Sequence, residues 1–268
     1  MIRQEIAMSD IPAANDNPPV KVLGVRVDDL SLNQLLGFFT NCVENNKKVV
    51  VSNVNIHALN IAYSTLWFRH FLNDSSVTFC DGFGVRLAAR LSGQKLSYRY
   101  TPPDFIESIA RLAHQSRWKI FFLGAKPGVA QRAADPVMKK YPGLQIATWH
   151  GYFDKIKGGH DNNQVIAQIN KFHPQILILG FGMPLQERWI LDNMDHLQIN
   201  IALPAGAVFD YMAGEVRRAP HWMTGHGLEW LGRLIIEPRR LWKRYVIGNP
   251  LFFWRIFVHH ILKLPLPD

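Results

Sequence analysis

The chain has 268 residues, 48% of them apolar, enough for one large α/β domain or two smaller ones around a sizeable core. Its 30 Lys and Arg against 21 Asp and Glu leave a net charge of +9, which implies an anionic partner: nucleic acid, phospholipid or a phosphorylated substrate. The two cysteines, Cys42 and Cys80, lack metal-like spacing and exclude a disulfide-stapled scaffold, and no apolar run reaches the ~18 residues of a transmembrane helix.

Residues 1–19, "MIRQEIAMSDIPAANDNPP", are polar and rich in Pro, Asn and Asp, without the apolar stretch of a signal peptide; they are expected to form a disordered arm. From Lys21 strand and helix patterns alternate. "KVLGVRV" reads as a short strand and "SLNQLLGFFTNCVEN" as a helix capped by Ser31. "KKVVVSNVN" is a strand that ends in polar residues, "HALNIAYSTLWFRHFL" one amphipathic helix, and "VTFCDGFGVRLAARL" a strand, an Asp-Gly turn and a further helix. "PPDFIESIARLAHQ" opens with prolines suited to a helix start. "WKIFFLG", "LQIATWHG", "QILILGFG" and "INIALPAG" are apolar strands, separated by the helical patterns after "AKPG", in "NQVIAQINKFHP" and in "PLQERWILDNMDHL".

This alternation, with strands apolar almost throughout, predicts an α/β fold: a Rossmann-like, largely parallel sheet with helices on both faces, over residues 20–214. Ligands of such sheets bind beyond the carboxyl ends of the strands, where this chain places Asn53, Asn55, Asp81, the Gly124 turn and the stretch from Gly180 to Gln186. Each has a plain structural alternative. Asp81 suits a turn or a cap, Asn53 and Asn55 a helix start, the glycines tight packing, and Gln186 with Glu187 the first turn of a helix. Arg99, in "SYRYTPPDF", has the alternative of a solvated loop charge. The glycine loops match neither the dinucleotide fingerprint nor a P-loop, so no nicotinamide cofactor is expected. The 11 histidines show no ligand spacing, and the adjacent acids of "VDDL", Asp28 and Asp29, are an isolated pair; no metal site is expected.

Beyond Glu215 the alternation stops. Residues 217–268 carry nine Lys/Arg against three acids, with four Trp, three Phe and one Tyr, and residues 215–268 read as a basic, amphipathic helical C-terminal appendage. Basic residues interleaved with Trp and Phe describe a helix lying on an anionic membrane surface. The rivals are nucleic acid and a packed helix with a solvated basic face. A non-catalytic membrane or nucleic-acid binding module on a Rossmann-like scaffold is therefore the alternative to an enzyme.

The motifs fall in one order from about Lys21 to Phe257: Asn55, "DGFG" from Asp81, Arg99, "FLGAKPG", "GYF" from Gly151, "GMPLQE" from Gly182, "FDYMAG" from Phe209, and "RAP…LEW…RL…EPRR" from Arg218. In this order they resemble the WecG/TagA/CpsF family of bacterial glycosyltransferases (glycosyltransferase family 26). The resemblance implies transfer, with inversion and no required metal or other cofactor, of a sugar from a UDP-sugar donor to a polyprenyl-diphosphate-linked saccharide acceptor. N-acetylmannosamine or another hexose is the implied sugar, and the pathway is cell-surface polysaccharide synthesis. Asp81 matches the family's general base, Asn55, Arg99 and Gln186 its pocket, and Arg233 and Arg240 the appendage arginines that close over the donor diphosphate. Asn53 stands where the family usually carries Thr. The implied setting is cytoplasmic, peripheral on the inner face of the cell membrane, with no nucleic-acid partner.

Overall fold

In a computed structural model of the chain, residues 18–217, 223 and 227–266 are described. Most of the expected 1–19 arm, the "RAP" motif of Arg218–Pro220, His221 and His226 lie outside them. A hairpin opens the fold: β1 (Val20–Val22) pairs antiparallel with β2 (Val25–Val27). The main sheet has six strands in the order β4-β3-β8-β7-β5-β6, comprising β3 (Val49–Val54), β4 (Val77–Cys80), β5 (Lys119–Gly124), β6 (Gln145–Trp149), β7 (Ile176–Gly180) and β8 (Ile201–Pro204). β3 with β8, β8 with β7, β7 with β5 and β5 with β6 all pair in parallel. Ile176, Leu177, Ile178 and Leu179 are each fully buried, as a strand covered by helices on both faces requires. The Rossmann-like α/β fold is the one that the alternation predicts.

Two sequence expectations change. "KVLGVRV" is two strands, because Leu23 and Gly24 turn the chain at φ +48° and +78° and so cut the run in half. "HALNIAYSTLWFRHFL" is two helices, α2 (Ile56–Ser64) and α3 (Leu66–Asp74), because Thr65 sits at φ −134°, ψ 96° between them.

The chain divides into two compact units that cut across its order: residues 31–52 and 102–215 form one, and 15–30, 53–101 and 216–268 the other. The first holds α1 (Leu32–Glu44), the start of β3, β5 to β8 and their helices. Ser31 caps α1 with a full capping box: its hydroxyl accepts from the Gln34 N–H while the Gln34 side chain accepts from the Ser31 N–H. Here the glycines serve close approach. A Cβ on Gly124 would lie 2.6 Å from the Gly180 carbonyl oxygen, and one on Gly180 would lie 2.7 Å from the Phe209 ring.

The second unit holds the hairpin, the end of β3, β4, α2, α3, α4 (Phe83–Leu91) and the C-terminal helices. Those helices are Glu229–Ile236, stopped at Glu237, and a continuous helical run from Pro238 to Ile261 that includes two π-helical turns, Lys243–Ile247 and Phe257–Ile261. Pro238 occupies the first helical position, where its missing N–H costs nothing. The run packs on α2: Asn60 donates from Nδ2 to the Gly248 carbonyl at 2.7 Å and accepts from Arg255 Nη1 at 2.8 Å. Arg255 also lies 4.0 Å over the Tyr63 ring, and the Tyr63 hydroxyl is hydrogen-bonded to His259 Nε2 at 2.8 Å.

Candidate active site

Strand β4 buries all four of its side chains, and the chain that leaves it is fixed at once. The Asp81 N–H donates to the Val54 carbonyl at 2.8 Å, and Tyr100 N–H donates to the Cys80 carbonyl at 3.0 Å. Gly82 then takes φ +115°, a conformation that a side chain would strain, so that α4 can begin at Phe83. Asn55 caps α2 through its Oδ1, which accepts from the Ala58 N–H at 3.1 Å. That bond leaves Nδ2 to donate to Asp81 Oδ2, also at 3.1 Å. The cap and the contact to the carboxylate are therefore one side chain's two ends, and each fixes the other.

Asp81 is half-buried, and its pKa is raised from 3.8 to about 6. Burial is the largest cause; the hydrogen bond from Asn55 opposes it, the Glu229 charge adds to it, and the Arg244 and Arg233 charges oppose it. A carboxyl that titrates near neutrality is matched to taking a proton from a hydroxyl in the transition state. His57 is pushed down to about 4, first by burial and then by Arg244, so it stands neutral in the same unit. The Cys80 thiol is pushed up to about 12, mainly by burial, and is inert as a nucleophile.

Arg99 is half-buried, and its charge bears on Cys80, the residue before Asp81. Its loop is held by Asp29, whose carboxylate accepts from Ser97 N–H at 2.8 and 3.0 Å and from Tyr98 N–H at 2.9 Å. The other half of "VDDL" is equally structural: Asp28 Oδ2 accepts from Thr78 N–H at 2.7 Å and pairs with Arg26 at 3.3 Å. Among the described residues no three His, Cys, Asp or Glu side chains come together in the way a cation site requires.

The other candidates fall in different surroundings. Asn53 is buried within β3, whereas Asn55, one residue past the strand, is half-open. Arg233, on the Glu229–Ile236 helix, is close enough to act on Asp81. Arg240 is exposed and paired with Glu237 at 2.8 Å; the break at Glu237 puts it on a different helix from Arg233.

Gln186 and Glu187 belong to the first unit and are fully buried there. Gln186 Oε1 accepts from Gly182 N–H at 3.2 Å and Gly206 N–H at 3.1 Å, tying the loop after β7 to the loop after β8. Its Nε2 donates to Glu187 Oε1 at 2.8 Å. Burial raises Glu187 from 4.5 to about 7, and among the described residues its Oε2 has no hydrogen-bond partner. Gln186 thus braces the strand-end loops from within, and Glu187 in turn holds the Gln186 amide.

Sequence reasoning did not single out Arg244, Glu229 or the neutral His57 as site residues. Arg244 was one basic residue among several in the appendage, and nothing in its spacing points to Asp81. The "LEW" motif that contains Glu229 was the one available signal.

The sequence profile of the glycosyl transferase WecG/TagA/CpsF family matches residues 20–264. The chain is also 28% identical, over 241 residues that span 88% of it and 91% of each relative, to proteins of Staphylococcus aureus strains NCTC 8325 / PS 47 and COL. A relative from strain MW2 shows the same identity and coverage. All three are named N-acetylglucosaminyldiphosphoundecaprenol N-acetyl-beta-D-mannosaminyltransferase. A six-stranded sheet of parallel-paired strands with helices packed on it defines an α/β, Rossmann-like protein. The chain belongs to the WecG/TagA/CpsF family and is a glycosyltransferase.

Proposed function

We propose that the protein is an inverting, metal-independent glycosyltransferase. It moves a sugar, N-acetylmannosamine or another hexose, from a UDP-sugar to a polyprenyl-diphosphate-linked saccharide in cell-surface polysaccharide synthesis. The supporting observation is the Asp81 carboxyl, hydrogen-bonded by Asn55 at the end of β4, raised to a pKa of about 6 chiefly by burial and subject to the charges of Arg244 and Arg233. The acceptor class is the one in the relatives' names.

In the proposed step an acceptor hydroxyl oxygen attacks the anomeric carbon of the donor while the bond from that carbon to the diphosphate oxygen breaks. UDP leaves with the bonding electrons, Asp81 takes the hydroxyl proton, and the anomeric configuration inverts. A placed base contributes ~10²–10⁴-fold. Charge grows on the leaving diphosphate, and guanidinium groups offer it paired donors without a divalent ion. Arg99, Arg233 and Arg240 have that role in this reading, Arg240 after exchanging Glu237 for the diphosphate. Asn53 and Asn55 shape the sugar end of the cleft, and Gln186 with Glu187 set the loops beyond β7 and β8. The protein works at the cytoplasmic face of the membrane, held there by its basic C-terminal helices; none of the described helices is long and apolar enough to cross it.

The test is incubation with a panel of UDP-sugars and a polyprenyl-diphosphate-linked N-acetylglucosamine, with mass detection of the extended lipid. One donor should give product in EDTA as fast as in Mg²⁺. Absence of product with every donor, or activity that only a divalent ion restores, contradicts the reading.

A further inference from the structure

The second unit contains an open groove of about 690 Å³, within the range of about 300–1,000 Å³ usual for small-molecule sites. Ile56, Phe83, Leu87, Leu231, Leu234 and Val246 are among the side chains that line it. Of the described residues around it, only Trp230, Tyr245 and Asn249 carry a polar side-chain atom, and none carries a charge. Phe83 and Val246 are 47% and 57% exposed, so the apolar wall faces solvent. Apolar surface of this extent, left open in a chain of net charge +9, marks a binding surface.

The groove adjoins the proposed reaction centre through the backbone. Phe83 follows Asp81 by two residues, so their Cα atoms lie within about 7.6 Å. Ile56 follows Asn55, the partner of Asp81, and presses on Gly84, where a Cβ would come 2.3 Å from Ile56 Cδ1. Arg244, whose charge reaches both Asp81 and His57, precedes Tyr245 and Val246 in the groove wall. Asp81 and Arg244 therefore both adjoin the apolar channel, the one two residues before Phe83 and the other next to Tyr245. A lipid-linked saccharide carries the matching groups: a reacting hydroxyl on the sugar, a diphosphate on its anomeric carbon and an apolar chain beyond.

We propose that this groove receives the first isoprene units of the acceptor's polyprenyl chain, with the acceptor's diphosphate at Arg244 and its saccharide at Asp81. The inference rests on the proposed acceptor class and adds where its lipid is held. The complementarity is double, cation to diphosphate and apolar wall to apolar chain, and a neutral lipid meets only half of it.

The test uses the full chain and a diazirine-bearing farnesyl diphosphate, illuminated and mapped by peptide mass analysis. The label should concentrate on the peptides that carry Phe83 to Leu87 and Leu231 to Phe253. Geranylgeranyl diphosphate should compete it away, and phosphatidylglycerol vesicles should not. Val246→Asp should cut groove labelling at least fivefold, and Val246→Ser serves if that variant fails to fold. Labelling spread evenly over the C-terminal helices, equal competition by the vesicles, or no effect of a folded Val246 variant overturns the proposal. A labelled groove in a protein that transfers no sugar contradicts the glycosyl-transfer reading alone. Sugar transfer without groove labelling contradicts the groove alone.

Discussion

Asp81 carries the account at the scale of single residues. Its raised pKa means that a proton occupies it below about 6, and a base must be empty to act. The kcat/KM for transfer, measured from pH 5 to 9, should therefore rise tenfold per pH unit below about 6 and level off above. A flat profile contradicts the assignment. Glu187 makes a complementary prediction in stability. Its folded pKa of about 7 exceeds the 4.5 of an unfolded chain, so this group's contribution falls as pH rises between those values and stays unfavourable above. Glu187→Gln keeps the bond with Gln186 and removes the buried charge. It should match wild type at pH 4.5 and become more stable by on the order of 3 kcal/mol above pH 7, at about 1.4 kcal/mol per pKa unit. Denaturant melts at the two pH values decide this. The positions of Asp81 and Asn55 at strand ends were legible in the sequence because a strand end announces itself by a change from apolar to polar, whereas the roles expected of them and of Arg99 came from the order of the motifs. The influence of Arg244 was not, because only the packing of the last helices on α2 brings its charge to bear on Asp81 and His57.

At the scale of elements, periodicity placed the strands and most helices, and it failed where one residue's backbone decides the outcome. Thr65 and the Leu23-Gly24 turn interrupt patterns that are continuous in hydrophobicity, so no count of apolar positions reveals them. The glycines at and beyond the ends of β5 and β7 admitted phosphate binding or packing, and Gly124 and Gly180, the last residues of those strands, are tightly packed. Gly124→Ala should destabilise by about 1–3 kcal/mol, because the carbonyl it strikes belongs to a paired strand and cannot swing aside. The C-terminal helices read as a basic, amphipathic appendage, and within the second unit Asn60 and Tyr63 hold them to α2. Asn60→Ala, which takes the amide away from the Gly248 carbonyl and from Arg255, should cost about 1–3 kcal/mol. It should also speed amide exchange over residues 238–261, and exchange confined to wild-type rates contradicts this docking.

At the scale of the whole molecule, the +9 charge and the exposed Ile235, Trp242 and Trp254 support recruitment to an anionic surface. Because the same helices form part of the second unit's packing, removing them is no clean test of that role; surface variants are. Ile235→Ser with Trp254→Ser should weaken co-sedimentation with phosphatidylglycerol vesicles at least fivefold while leaving the melting temperature within a few degrees. Undiminished sedimentation contradicts a shallow insertion of these side chains. The fold class and the order of motifs were readable because both are written along the chain. The division into two compact units was not, since it joins residues 53–101 with 216–268 across more than a hundred intervening positions. The central claim, a carboxylate base that works without a metal ion, meets its most direct test in the initial rate of sugar transfer by Asp81→Asn in EDTA, relative to wild type. The wild-type rate should be untouched by EDTA and the variant slower by ~10²–10⁴-fold, with UDP binding intact. A variant within about threefold of wild type would contradict it.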